Sequence, residues 1–133
     1  MELEYLLAKT VEVFQKTLKR VKYETFGPVE AQKLSLHHFA YISAIQALGN
    51  PTFTDLAEKL KVTKPSVTTM VNKLINEGYV RKEQSSADRR IYHLYLDEKG
   101  KKLIEVERRG MMEFADQIRY ALTEQEARQF TEL

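Results

Sequence analysis

The chain has no cysteine. A disulfide framework and a thiolate metal site are therefore excluded, which agrees with a reducing compartment. Long apolar runs are missing as well, and the opening Met1–Tyr5 lacks the basic residues of a secretory signal. No membrane association is expected, and a cytoplasmic location is. Charge of one sign is scarce: the net charge is only +2, a weak pointer to any polyanion. Neither a glycine-rich phosphate loop nor a nucleophile elbow occurs. The only histidines are His37, His38 and His93. Adjacent histidines point to different faces of a helix, so they do not chelate as an i, i+4 pair would. No catalysis, metal or cofactor is expected.

What is present fits one globular domain. The 133 residues are 43% hydrophobic and 30% charged. Leu3, Leu6, Leu7, Thr10, Phe14, Thr17, Leu18 and Val21 recur at three- and four-residue steps, which predicts a helix with one apolar stripe. Gly27-Pro28 should break it. A second helix should follow the cap Ser35 and bury Leu36, Phe39, Ile42, Ile45, Ala47 and Leu48. Near the other end, Asp97-Glu-Lys-Gly100 opens a long helix with Leu103, Val106, Gly110, Phe114, Ile118 and Ala121 on one side. Thr123-Glu-Gln-Glu126 has capping-box spacing and should start a last helix, 127–133. Stripes this long exceed what a small monomer can cover, so pairing with a second copy is expected.

The stretch 52–96 is the most specific. Thr52 and Asp55 have capping-box spacing, and Leu56, Ala57 and Leu60 face inward. Val62 covers the turn. Thr63 should cap a second helix, 63–77, whose first turn tolerates Pro65. Val67, Met70, Val71, Leu74 and Ile75 form its buried face. Lys64, Ser66, Thr68, Thr69, Asn72, Lys73 and Asn76 face out, with no carboxylate before Glu77. Such a face suits a polyanion, because each carboxylate near phosphate costs repulsion. The helix N-terminus adds amides and a positive dipole end. After Gly78 comes a hairpin with Arg81 and Lys82 in its first strand and Asp88-Arg89-Arg90 at its tip. A narrow minor groove favours an inserted arginine, and Asp88 can orient one by a charge-assisted hydrogen bond. Residues 51–96 hold eight Lys/Arg against five Asp/Glu, so the basic excess sits here. The order is a helix-turn-helix followed by a wing, which presents one helix to a DNA major groove.

These residues resemble the multiple-antibiotic-resistance repressor (MarR-type) family of winged-helix regulators. The resemblance is carried by Thr52…Asp55-Leu-Ala57, Val62-Thr-Lys-Pro-Ser-Val-Thr68 and Val71-Asn-Lys-Leu74. It continues through Glu77-Gly-Tyr-Val-Arg81, Asp88-Arg-Arg90 and Leu96-Asp-Glu-Lys-Gly100. It implies a homodimer made by the first and last helices, with paired heads on a palindrome. It also implies DNA release when a small aromatic or anionic effector enters a cleft. Ser66, Thr68, Thr69 and Lys73 would face the groove, and Arg89 and Arg90 would be wing residues. Two positions depart from the pattern. Thr69 stands where the family often has arginine, and Asp97 where it usually has threonine.

The expected fold is mainly α with a small β-hairpin wing. Residues 35–96 would form the winged helix-turn-helix, and 1–34 and 97–133 the dimerisation helices. The expected function is a sequence-specific DNA-binding transcriptional regulator, a repressor, that binds double-stranded DNA through Lys64, Pro65, Ser66, Thr68, Thr69, Asn72, Lys73, Arg81, Asp88, Arg89 and Arg90. The alternative is a winged-helix module in which the same face docks a protein. Tyr5, Tyr23, Phe39 and Tyr41 are candidates to line an effector cleft, or else plain core.

Overall fold

Helix caps and two glycine turns set the course of the chain. The computed structural model describes residues 2–121 and 124–132. In order they form α1 (Glu2–Lys33), α2 (Leu36–Leu48), α3 (Phe53–Leu60), α4 (Lys64–Asn76), β1 (Val80–Gln84), β2 (Tyr92–Leu96), α5 (Glu98–Ala121) and α6 (Glu124–Thr131). The fold is mainly helical with one antiparallel hairpin, as expected. Among the described residues, no helix is long and apolar enough to cross a membrane. By its contacts the chain divides into two compact units, 1–31 with 105–133, and 32–104.

In the first unit, α1 and the later part of α5 pack together. A Cβ on Gly110 would come within 2.8 Å of Leu18 Cδ1, so the glycine admits a close approach. The Phe14 and Phe114 rings lie 5.1 Å apart, and Gln117 donates to the Thr17 hydroxyl at 3.1 Å. Lys22 and Glu107 form a half-buried ion pair at 3.3 Å. The stripe of α1 is buried only in part. Thr17 and Val21 are buried, whereas Leu3, Leu6, Leu7 and Val11 are exposed. Gly27 breaks the helix with φ 80°, as expected, but helix resumes after it and runs to Lys33. Pro28 starts that short run, where a missing N–H costs nothing. Thr123 and Leu133, the cap and end expected for the last helix, lie outside the described residues, as do the side chains of Ala121 and Ala127. The described part of that helix already begins at Glu124.

In the second unit, three caps appear where residue types and spacing predict them. The Ser35 hydroxyl accepts from the His38 amide, Thr52 from Asp55 and Thr63 from Ser66. The inward face of α2 differs from expectation. His38, Tyr41, Ile42, Ala44 and Ile45 are buried, while Leu36 is 84% exposed and Leu48 39%. This helix is apolar almost all round, so spacing alone cannot choose its face. Core packing chooses it: Leu56, Val67, Val71, Leu74, Tyr79, Val80 and Leu94 are likewise buried. The hairpin pairs Val80 with Leu96 and Gln84 with Tyr92. A bridge from Thr52 to His93 adds a short third rung, reinforced by Leu94 N–H on the Pro51 carbonyl at 2.8 Å.

Candidate nucleic-acid interface

The helix expected to read DNA is α4. Thr63 caps it with a 3.3 Å bond from the Ser66 amide, and Pro65 occupies its first turn. Those two features use or remove first-turn amides, leaving that of Lys64 as a donor with no partner inside the helix. Val67, Val71 and Leu74 are buried beneath. Lys64, Pro65, Ser66, Thr68, Thr69, Asn72, Lys73 and Asn76 are all exposed on the outside. The hydroxyls have definite roles. Thr68 donates to the Lys64 carbonyl at 3.1 Å and Thr69 to that of Pro65 at 3.0 Å. Their hydrogens point into the helix, so each threonine offers lone pairs and a methyl outward. Ser66 differs: its oxygen accepts from the Thr63 hydroxyl at 2.8 Å, which leaves its own hydrogen to donate.

Beside α4, in the same unit, lies a cavity of about 510 Å³. Tyr41, Val62, Pro65 and Met70 supply its apolar lining, and Ser66, Thr69 and Lys73 its polar groups. Burial pushes the Tyr41 phenol above its ordinary range. Of the four aromatics expected to line an effector cleft, Tyr41 alone borders this cavity.

The wing carries cations of three kinds. Arg90 is held. Its Nε and Nη2 donate to the Asp88 carboxylate at 3.1 and 3.0 Å, and its amide donates there at 3.0 Å. Those bonds hold the Asp88 carboxyl below the usual aspartate range, the side-chain bond contributing most. Arg89 is exposed, and its guanidinium has no bond or ion pair among the described residues. Its carbonyl accepts from Gln84 Nε2 at 2.7 Å, which braces the tip. Arg81 is taken up. It lies 3.4 Å from Glu83, 3.5 Å from Asp97 and 4.7 Å from the Tyr95 ring centroid. A guanidinium so surrounded has little charge left for phosphate, so Arg81 is the weakest of the expected contacts. Lys82, over the Tyr92 ring at 5.0 Å, keeps its ammonium exposed, with no carboxylate partner among the described residues.

Several residues that hold this arrangement were not expected from the sequence. Glu77, at the end of α4, meets His38 Nε2 at 3.2 Å, and its carbonyl accepts from Lys99 Nζ at 2.9 Å. Lys99 also lies 4.6 Å from the Tyr79 ring centroid. Gly100 packs so closely that a Cβ would fall 2.4 Å from the Tyr79 carbonyl oxygen. The Ser35-x-x-His38 spacing was a usable signal, since it is a capping box with His at the third position. Lys99 and Gly100 stood out only as part of the Leu96–Gly100 motif, which says nothing of these contacts.

Residues 34–92 match the model of the MarR family. That segment belongs to the MarR family. A curated relative is YpoP of Bacillus subtilis, an uncharacterised HTH-type transcriptional regulator, 23% identical over 93 residues. The match covers 70% of this chain and spans 65% of that relative's length. Solved structures show the same winged-helix fold. One is a MepR mutant of S. aureus bound to an oligodeoxyribonucleotide, with TM-score 0.75 and 19% identity over 98% of this chain and 91% of that one. Another is FabT of Streptococcus pneumoniae in complex with DNA, with TM-score 0.66 and 22% identity over 98% and 90%.

Proposed function

We propose that this MarR-type chain is a DNA-binding transcriptional regulator that reads a palindromic operator as a homodimer and acts as a repressor. One observation carries the reading. The exposed face of α4 holds hydroxyls, amides and two lysines without a carboxylate, in the same compact unit as a wing tip bearing Arg89 and Arg90. A solvated surface with no partner has no reason to exclude acids from one face and gather arginines at the adjoining hairpin. Two fold neighbours, the MepR mutant and FabT, are bound to DNA in their solved structures, which supports it.

The finer roles follow from the chemistry of each contact. Thr68 and Thr69 would pack methyls on thymine and accept from exocyclic amines; Ser66 and the Lys64 amide would hold phosphate. Asn72 and Lys73 would flank them. Residues 1–34 and 97–133 would dimerise, because exposed Leu3, Leu6, Leu7 and Val11 of α1 and Met111 and Met112 of α5 want a cover, and a second copy supplies one by symmetry. A small aromatic or anionic effector in the cavity beside α4 would compete with DNA for Ser66, Thr69 and Lys73. The site of action would be the cytoplasm.

Selection from random double-stranded DNA tests this directly. No arginine lies between Thr63 and Gly78, so bidentate guanine reading from α4 is unavailable. The enriched sites should be inverted repeats rich in A·T, with half-site centres roughly 34–36 Å apart. A G·C-rich core or lone half-sites would contradict the roles of Thr68, Thr69 and the dimer. No enrichment at all would favour a module that docks a protein.

Lys73 has a separate expectation. Among the described residues its ammonium has no ion pair, and it lies toward the far end of α4. Lys73→Ala should weaken all DNA sequences alike and lower the salt slope of binding by about one unit. Affinity measured against salt on two unrelated sequences checks this; a sequence-dependent loss would assign Lys73 to bases instead.

A further inference from the structure

The two cations of β1 point opposite ways. Strand pairing puts Val80, Lys82 and Gln84 on one face of the hairpin with Tyr92, Leu94 and Leu96. Arg81 and Glu83 share the other face with His93 and Tyr95. Val80 and Leu94 are buried, because β1 packs on α4 and β2 on α2 and α3. Lys82 therefore lies on the side of the wing that adjoins α4, beyond Val80 along the strand, and Arg81 turns away from it. The strands' acid, Glu83, is on the far face too, 3.4 Å from Arg81. The acid-free face of α4 is thus continued by an acid-free side of the wing. Gln84, next outward on that side, reaches the tip by donating to the Arg89 carbonyl at 2.7 Å.

We propose that Lys82 contacts the phosphate between the two grooves, with Tyr92 as its positioning residue, and that Arg81 has no part in binding; this rests on the DNA-binding reading above. A helix in a major groove and a wing tip in the adjacent minor groove are separated by one sugar–phosphate backbone. That backbone has to pass the segment joining helix to tip, which on this side is β1. Lys82 is the cation there. Its ammonium is exposed, with no carboxylate partner among the described residues, so its charge is available to phosphate. The Tyr92 ring, its centroid 5.0 Å from Nζ, attracts the ammonium to one place. A ring covers one side of an ammonium and leaves N–H donors for a phosphate oxygen. A long lysine held in this way loses less freedom on binding than one that sweeps through solvent. Arg81 differs in each respect. Glu83, Asp97 and the Tyr95 ring surround it, and its Nη1 donates to the Leu96 carbonyl at 3.4 Å.

The test measures affinity against salt in the full chain, with double-stranded DNA of mixed sequence as the probe, since every sequence carries phosphate. Lys82→Ala should lower the salt slope by about one unit, and affinity by about fivefold near 0.1 M salt. Arg81→Ala should leave the slope where it is. Tyr92→Leu keeps the charge but removes the ring, so affinity should fall about two- to threefold at an unchanged slope. Tyr92→Phe keeps the ring and should match the parent. An unchanged slope in Lys82→Ala overturns the proposal, and so does an equal fall of slope in Arg81→Ala. Equal affinities of Tyr92→Leu and Tyr92→Phe overturn it as well. If the parent binds no duplex even at low salt, the regulator reading fails and the proposal falls with it. A parent that binds, beside a Lys82→Ala protein that binds equally, sinks the proposal alone. Should Tyr92→Leu fail to fold, proton resonances of the parent decide the part of the ring. Its current should move the ε-methylene protons of Lys82 upfield of those of Lys101; coincident shifts overturn the proposal.

Discussion

Gly100→Ala should be the most destabilising single change in the reading head, by roughly 3 kcal/mol at the upper end of overpacking. The added Cβ would lie 2.4 Å from the Tyr79 carbonyl oxygen and 3.3 Å from Leu96 Cδ2. A carbonyl in the backbone cannot swing aside as a side-chain end can. This one is also in use, accepting the Asp97 amide at 3.0 Å where the chain leaves β2 and enters α5. Alanine favours helix over glycine by only about 1 kcal/mol, too little to offset the clash. Urea unfolding followed by circular dichroism should show the midpoint lowered by roughly 1–2 M. Gly110→Ala makes the contrast. Its nearest obstacle is a terminal methyl of Leu18, at 2.8 Å, which can rotate, so its net effect should stay within about 1 kcal/mol. A Gly100→Ala protein as stable as the parent would mean that α5 does not press on the Tyr79 carbonyl.

These two glycines mark the limit of what the sequence made legible. Caps are local chemistry, so Ser35, Thr52 and Thr63 could be read with their partners three residues on. The polar face of α4 could be read because its apolar residues recur at helical spacing and fix which side is inward. The face of α2 could not, because apolar residues surround it and only the packed core decides between them. Tertiary partners were equally out of reach. Nothing local says that Arg81 will also meet Asp97, or that residues 50–52 will lie along β2. Asp88 and Arg90 were readable as a pair because they are two residues apart at a turn tip, where short-range geometry suffices.

Arg90→Ala should weaken DNA binding by about tenfold or more while leaving fold stability unchanged to within about 0.5 kcal/mol. The two halves of this expectation have separate causes. The Arg90 side chain is 90% exposed, so its ion pair with Asp88 is screened by water and adds little to folding. What the pair fixes is direction: two side-chain bonds and one backbone bond set the guanidinium plane at the tip before DNA arrives. A preorganised donor loses less freedom on binding than a free one. The depressed Asp88 carboxyl keeps this orientation through neutral pH; it is lost only as pH falls through that lowered value. The loss should be largest on A·T-rich flanks, where a narrow minor groove carries the most negative potential. Asp88→Ala separates charge from orientation. It removes a carboxylate facing phosphate, so affinity for arbitrary DNA should hold or rise, while preference for A·T-rich flanks falls. Arg89, without a carboxylate partner among the described residues, should behave as a phosphate contact, its alanine variant weakening all sequences alike. Competition binding on A·T-rich and G·C-rich flanks around one core site distinguishes these outcomes. If Arg90→Ala and Arg89→Ala produce the same sequence-blind loss, the Asp88 clamp has no part in recognition and the wing acts through charge alone.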